Sequence, residues 1–267
     1  MAKKRSTKPN FSKMTTDALK SAYDPDWPFE MLNVWKVEMD QRDEPLAAHL
    51  CSFLDFSSDI GGTLEHPLFV GYCDPRRAAI VNWLVEQKQV EIERLILKKK
   101  WYQIVFMYEI MFLLDAFRKY LERFDDKSYW QILAAVWVHQ EQLWRNRKLY
   151  LQLFQSPRPQ RQFLMTAAER RKLDGMPDEF PVYRGFIGKR GMGLSWTTDR
   201  AKAEWFARRF AALTHLGQPR LMEGKAKKQD VLAYFNGRKE KEVVIDPAKI
   251  RSVKTHPVKP SSDDDGE

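Results

Sequence analysis

From about residue 177 the apolar pattern of this chain changes period, and that change limits the possible folds more than any other feature of it. Before that point, apolar residues recur every three to four positions, the spacing of helices buried along one side. After it come short apolar runs separated by glycines, with a single helical stretch from Asp199 to Leu213. Helices first and strands afterwards predict an α+β protein with a helical N-terminal half. Four regions follow: a flexible basic arm over 1–25, a helical region over 26–176, a strand-rich core over 177–256 and a disordered polar tail over 257–267.

Within the helical region, W-P-F-E-M-L-N-V-W-K-V-E-M from Trp27 to Met39 places Phe29, Leu32, Val34, Trp35 and Met39 near one face, and a second short helix is expected over Pro45 to Phe56. His66-Pro67 marks a break. Asp74 and Pro75 read as the cap and first position of a long helix, kinked near Lys98-Lys99-Lys100 and running on to Phe124. Asp125 to Ser128 reads as a turn, with Ser128 capping a helix from Tyr129 to Phe154 rich in tryptophan and leucine. Thr166 and Glu169 have capping-box spacing at the head of a short helix ending at Leu173.

At 267 residues and 43% hydrophobic content the chain can bury a full core. Cys51 and Cys73 are too few for a disulfide framework and match no metal-ligand spacing, so free thiols in a reducing compartment are expected. The basic opening M-A-K-K-R-S-T-K-P-N is followed by no apolar signal segment. The most apolar run, Trp101 to Phe117, carries Glu109 and Asp115 and falls short of the roughly 20 residues a membrane span needs, so it is expected as a buried core helix. A cytoplasmic location, with no membrane partner, follows as the expectation. A net charge of +9 favours acidic partners in general without selecting one.

Three pieces of the strand-rich region carry chemistry. V-Y-R-G (Val182 to Gly185) ends an apolar strand on an arginine, whose planar fork of donors matches a pyrophosphate. Gly185 allows a backbone to pass close to a flat ligand. In G-L-S-W-T-T (Gly193 to Thr198), Ser195 and Thr197 point one way on a strand and Trp196 the other. Thr198 or Asp199 caps the helix that follows, where Ala203, Phe206, Ala207 and Phe210 share a face. In R-K-E-K-E-V-V-I (Arg238 to Ile245), strand alternation puts Glu240 and Glu242 on one side. The scattered histidines show no ligand spacing, and none stands where it would obviously activate Ser195. G-K-R-G-M-G (Gly188 to Gly193) lacks the spacing of a nucleotide-binding P-loop.

These residues, in this order, resemble the arginine–serine–glutamate class of ADP-ribosyltransferases over about 65 residues, Val182 to Asp246. The flanks M-T-A-A-E-R-R-K-L and V-V-I-D-P look similar to phage- and prophage-encoded members. The resemblance implies that 177–256 is an NAD-binding core of β-sandwich type with a few helices. It implies NAD as co-substrate, no metal, and Arg184, Ser195, Glu240 and Glu242 as catalytic residues. Arg184 would hold the NAD phosphates, Gly185 the nicotinamide amide through its backbone, and Phe206 would stack on the nicotinamide ring. Tyr183 and Thr197 would line the same pocket. Ser195 would orient the Glu242 carboxylate on the ribose, and Glu240 would face the acceptor. S-W-T stands where many toxin members carry S-T-S, and Trp196 is expected to face the core.

The resemblance also implies the reaction, transfer of ADP-ribose to a macromolecular acceptor. The glutamate at the first E-x-E position favours arginine side chains of host proteins. Basic residues outnumber acidic ones from Glu179 onward, which keeps an RNA or DNA base open as the acceptor. A module that retained the fold and lost activity is the rival of another class. The helical half carries no readable motif; target selection, an antitoxin-like partner or a virion docking site are the roles open to it.

Overall fold

The computed structural model describes residues 43–57, 62–140, 145–188, 192–214 and 217–259. The basic arm, the expected helix over Trp27 to Met39 and the end of the polar tail lie outside these residues. The chain divides into two compact units, one up to Phe112 and one from Leu113 onward. The boundary expected at 176/177 therefore falls inside the second unit. Among the described residues, no helix is long and apolar enough to cross a membrane.

The first unit holds strands where helix was expected. A short 3-10 helix, Ala48–Phe53, stands in place of the predicted Pro45–Phe56 helix and leads into β1 (Leu54–Asp55). β1 pairs antiparallel with β2 (Thr63–His66), which forms a hairpin with β3 (Phe69–Tyr72). Pro67-Leu68 is the hairpin turn, where the Leu68 N–H donates to His66 Nδ1 at 3.2 Å. Strands of four residues carry too few positions for a period of two to stand out.

Helix α1 spans Ala79–Leu97 and begins after the predicted Asp74 cap. The Asp74 carboxylate instead accepts from the Arg76 N–H at 3.0 Å and closes a turn one step earlier. Lys99, at φ 53°, breaks the helix where a kink was expected, and α2 (Trp101–Val105) follows. The apolar run expected as one buried helix is thus split, with Ile110 and Met111 left exposed in a 3-10 turn.

In the second unit, α3 (Leu113–Tyr120) precedes α4 (Asp126–His139) and α5 (Arg147–Phe154). The last two occupy the stretch read as one helix, and Asp125 rather than Ser128 caps α4, accepting from the Ser128 N–H at 2.7 Å. Helix α6 (Ala167–Asp174) has the full capping box of Thr166 and Glu169. Six antiparallel strands follow: β4 (Glu179–Ile187), β5 (Ser195–Thr197), β6 (Pro219–Lys227), β7 (Val231–Phe235), β8 (Glu242–Ile245) and β9 (Arg251–Pro257), with α7 (Arg200–Thr214) between β5 and β6. Their order is β7-β8-β5-β4-β6-β9. The six strands are connected by hydrogen bonds in one network, with a single residue pair joining β5 to β4.

The sheet and the helices share a core. Phe180, Val182, Trp196, Tyr234, Val243 and Ile245 form a buried cluster, with Met165, Leu173 and Met176 packed against it. Polar ties run alongside: Arg161 Nη2 donates to the Leu232 carbonyl at 2.9 Å, and the Asn236 N–H to Glu169 Oε1 at 2.8 Å. Ala203 and Ala207 of α7 pack on Leu221, Val258 and Tyr183 in a second cluster.

Candidate active site

β4 and β5 meet only at Tyr183, opposite Thr197. Past that pair, β4 continues its ladder with β6 through Arg184 and Gly185, while β5 continues with β8 through Trp196 and Ser195. The halves of the sheet part at Arg184 and Ser195, and a side chain spans the opening: Arg184 Nη1 donates to the Ser195 carbonyl.

Alternation on β5 sends Trp196 into the core and turns Ser195 and Thr197 to the opposite face, as expected. On β8, Val243 lies opposite Trp196 and Glu242 opposite Thr197, so Glu242 shares the face of Ser195. Ser195 Oγ donates to Glu242 Oε1 at 2.5 Å. The Glu242 side chain is buried, at 6% exposure. Burial raises its carboxyl above the ordinary carboxylate range; hydrogen bonds from Ser195 and Trp137 pull it down, Glu240 adds to the rise and Arg238 opposes it.

Arg184 is half-buried beside this carboxylate. A Cβ built on Gly193 would stand 2.5 Å from Arg184 Nη2, so the guanidinium lies against that backbone. Burial lowers the Arg184 pKa to about 10, with the charge of Glu242 acting the other way. The group remains a cation at neutral pH. A partly desolvated guanidinium near a buried carboxylate can donate to an anion and leave the carboxylate free to accept from a hydroxyl.

Trp137 joins the site although the tryptophan- and leucine-rich pattern of its helix does not single it out. The indole is core, at 1% exposure, yet its N–H donates to Glu242 Oε1 at 3.1 Å. The available signal was general: a buried indole N–H needs an acceptor. Nothing in the sequence says which one.

Glu240 does not sit on the strand with Glu242. β8 begins at Glu242, and Lys239 and Lys241 take φ of 56° and 47°, which turns the chain and ends the alternation that put both glutamates on one side. Glu240 pairs instead with Arg238, Nη2 to Oε2 at 3.0 Å. β8 is also an inner strand, between β7 and β5.

The turn is pinned. Thr197 Oγ1 donates to the Glu240 carbonyl at 2.7 Å and accepts from the Asp199 N–H at 3.0 Å. Lys241 Nζ reaches Asp199 at 3.0 Å, and the Lys241 N–H donates to Asn236 Oδ1 at 3.1 Å. Thr197 therefore spends its hydroxyl on the turn rather than on the pocket expected for it. Asp199, which caps α7 by accepting from the Lys202 N–H at 3.2 Å, has its carboxyl held below the ordinary range by Lys241 and that N–H.

The remaining expected residues lie around α7. A Cβ on Gly185 would stand 1.9 Å from the Ala203 carbonyl oxygen, so the backbone that this glycine admits belongs to α7. Tyr183 packs in the same cluster. Phe206 stacks with Phe210, ring centroids 5.8 Å apart, and meets Trp205 edge-on. Arg184, Ser195 and Glu242 are thus brought together with Trp137, while Glu240 stands on the adjoining turn. No family model, curated protein or solved structure matches the chain.

Proposed function

We propose that this chain is a mono-ADP-ribosyltransferase that takes NAD as substrate, releases nicotinamide and modifies a macromolecular acceptor. The observation that carries the proposal is the buried Glu242 carboxylate, held on one oxygen by Ser195 and Trp137 beside the Arg184 guanidinium. Those are the groups needed to hold a dinucleotide and break its nicotinamide glycosidic bond.

Arg184 receives the pyrophosphate as a fork of donors. Glu242, through Oε2, accepts a hydroxyl of the nicotinamide ribose. Nicotinamide departs as a neutral molecule, so no general acid is required, and positive charge builds on the ribose as in glycoside cleavage. A fixed carboxylate beside that charge lowers the barrier by a few kcal/mol, on the order of a hundredfold or more in rate. The acceptor nitrogen then bonds to the ribose carbon and loses its proton. With an arginine acceptor, Glu240 pairs with the guanidinium and is the base within reach.

The test is release of nicotinamide from NAD by the purified chain, and labelling of bacterial lysate divided into protease- and nuclease-treated portions. Glu242→Ala serves as control. Label removed by protease supports a protein acceptor, and label removed by nuclease supports a nucleic-acid base. The latter reading draws on the exposed Lys225, Lys227, Arg251 and Lys254 along β6 and β9. No nicotinamide release and no label in either portion sinks the enzymatic proposal.

A further inference from the structure

Trp130, Trp137 and Trp196 are all buried in the second unit, and their N–H groups have different kinds of partner. Trp130 donates to the Pro159 carbonyl at 2.7 Å and Trp196 to the Gly193 carbonyl at 2.9 Å. Those are ordinary ways of satisfying a core indole with backbone. Trp137 donates to an ionisable side chain, Glu242 Oε1. A buried carboxylate is a costly acceptor to keep for structure alone, because its charge must be desolvated.

The indole is itself held in orientation. Tyr150 and Phe154 of α5 meet its ring edge-on, with centroids at 5.0 and 5.1 Å and interplanar angles of 88° and 81°. Ser195, from β5, donates to the same Oε1. Two donors on two different elements fix the plane of the carboxylate, and among the described residues neither bond goes to Oε2. The charged and titratable groups around Glu242 are Arg184 on β4 and Arg238 and Glu240 on the turn before β8; Tyr150 lies behind the indole.

We propose that Trp137 is a positioning residue for the reaction: its N–H aims the Glu242 carboxylate and keeps it ionised, so that Oε2 is presented to the ribose hydroxyl. The helices ahead of the sheet then form part of the catalytic centre. This inference rests on the transferase reading of the site.

Trp137→Phe in the full chain removes the donor and retains a ring. The expected result is a fall in kcat for nicotinamide release of about 10- to 100-fold, the range for one hydrogen bond to a charged group. KM for NAD is expected within about twofold, and the acid limb of the pH profile shifts to higher pH. A tryptophan analogue at position 137 with sulfur in place of the ring N–H preserves packing and is expected to give the same shift. Carbon-13 NMR of the Glu242 carboxyl should show its titration moving upward in both variants.

An unchanged titration and acid limb in the folded variants overturns the proposal, as does a loss confined to Trp137→Phe and absent from the analogue. A wild-type chain that releases no nicotinamide refutes the transferase reading instead, and the carboxyl titration still decides whether the indole holds Glu242.

Discussion

Ser195 and Glu242, on neighbouring strands, share a 2.5 Å hydrogen bond, and it ends on the same carboxylate oxygen that Trp137 reaches from a helix. Burial pushes the Glu242 carboxyl upward and the Ser195 hydroxyl draws it back. Ser195→Ala removes a force that favours the ionised form. Nicotinamide release should fall by about tenfold or more, and its acid limb should move to higher pH. Initial rates followed from acid to neutral pH measure both. An acid limb at the wild-type position in Ser195→Ala contradicts this account of the site.

Glu242→Gln separates catalysis from stability. The folded-state pKa of Glu242 is raised by burial, so its contribution to stability is fully present below the unfolded pKa and is lost as pH rises through the folded value. Once ionised, the buried carboxylate is a liability that glutamine removes, while the amide oxygen still accepts from Ser195 and Trp137. The variant should be inactive yet more stable at pH 7 by about 1 kcal/mol, a few degrees in Tm. The stability gap should close as the pH falls. Thermal melts of both proteins at several pH values are the check, and a Gln variant less stable at pH 7 refutes the assignment.

At Gly185 the expectation concerns packing. A Cβ there would meet the backbone of α7 at 1.9 Å from the Ala203 carbonyl and 2.6 Å from the Ala207 N–H, neither of which can turn aside as a side chain could. Gly185→Ala should destabilise the second unit by about 2 kcal/mol or more. Gly237, where an added Cβ meets nothing within 4 Å, is the internal control, with a change of about 0.5 kcal/mol or less on substitution by Ala. Denaturant midpoints of the two variants compare them directly, and equal midpoints contradict the close approach of helix and strand.

How much of this was legible in the sequence depended on the range of the interaction. The Thr166–Glu169 capping box and the alternation of Ser195, Trp196 and Thr197 are local and appear as read. Glu240 failed because the strand rule assumes ordinary φ, and Lys239 and Lys241 carry the unfavourable values without a glycine to announce them. The hairpin at His66 was too short to show a period. Trp137 and Glu242 are 105 positions apart, and no local pattern encodes which acceptor a buried indole will find. Gly185 was recognised as a site of close approach, but the partner is a helix that only the fold brings there.

Thr197 and Glu240 supply the last prediction, because Thr197 Oγ1 holds the Glu240 carbonyl at 2.7 Å while the Glu240 carboxylate is paired with Arg238. If Glu240 serves the acceptor and Glu242 the donor, the two half-reactions should respond to different substitutions. Thr197→Val keeps the shape of the buried side chain but releases the turn. Glu240→Gln removes the acceptor-facing charge. Both should reduce transfer to an arginine-containing acceptor by about tenfold or more, while hydrolysis of NAD without acceptor changes by less than about threefold. Arg238→Gln should act the other way and weakly, by about fivefold at most, since a surface ion pair is worth about 1 kcal/mol or less. Paired assays of nicotinamide release with and without the acceptor separate these effects. Equal losses in both assays for Glu240→Gln would place Glu240 in donor chemistry and remove the basis for expecting an arginine acceptor.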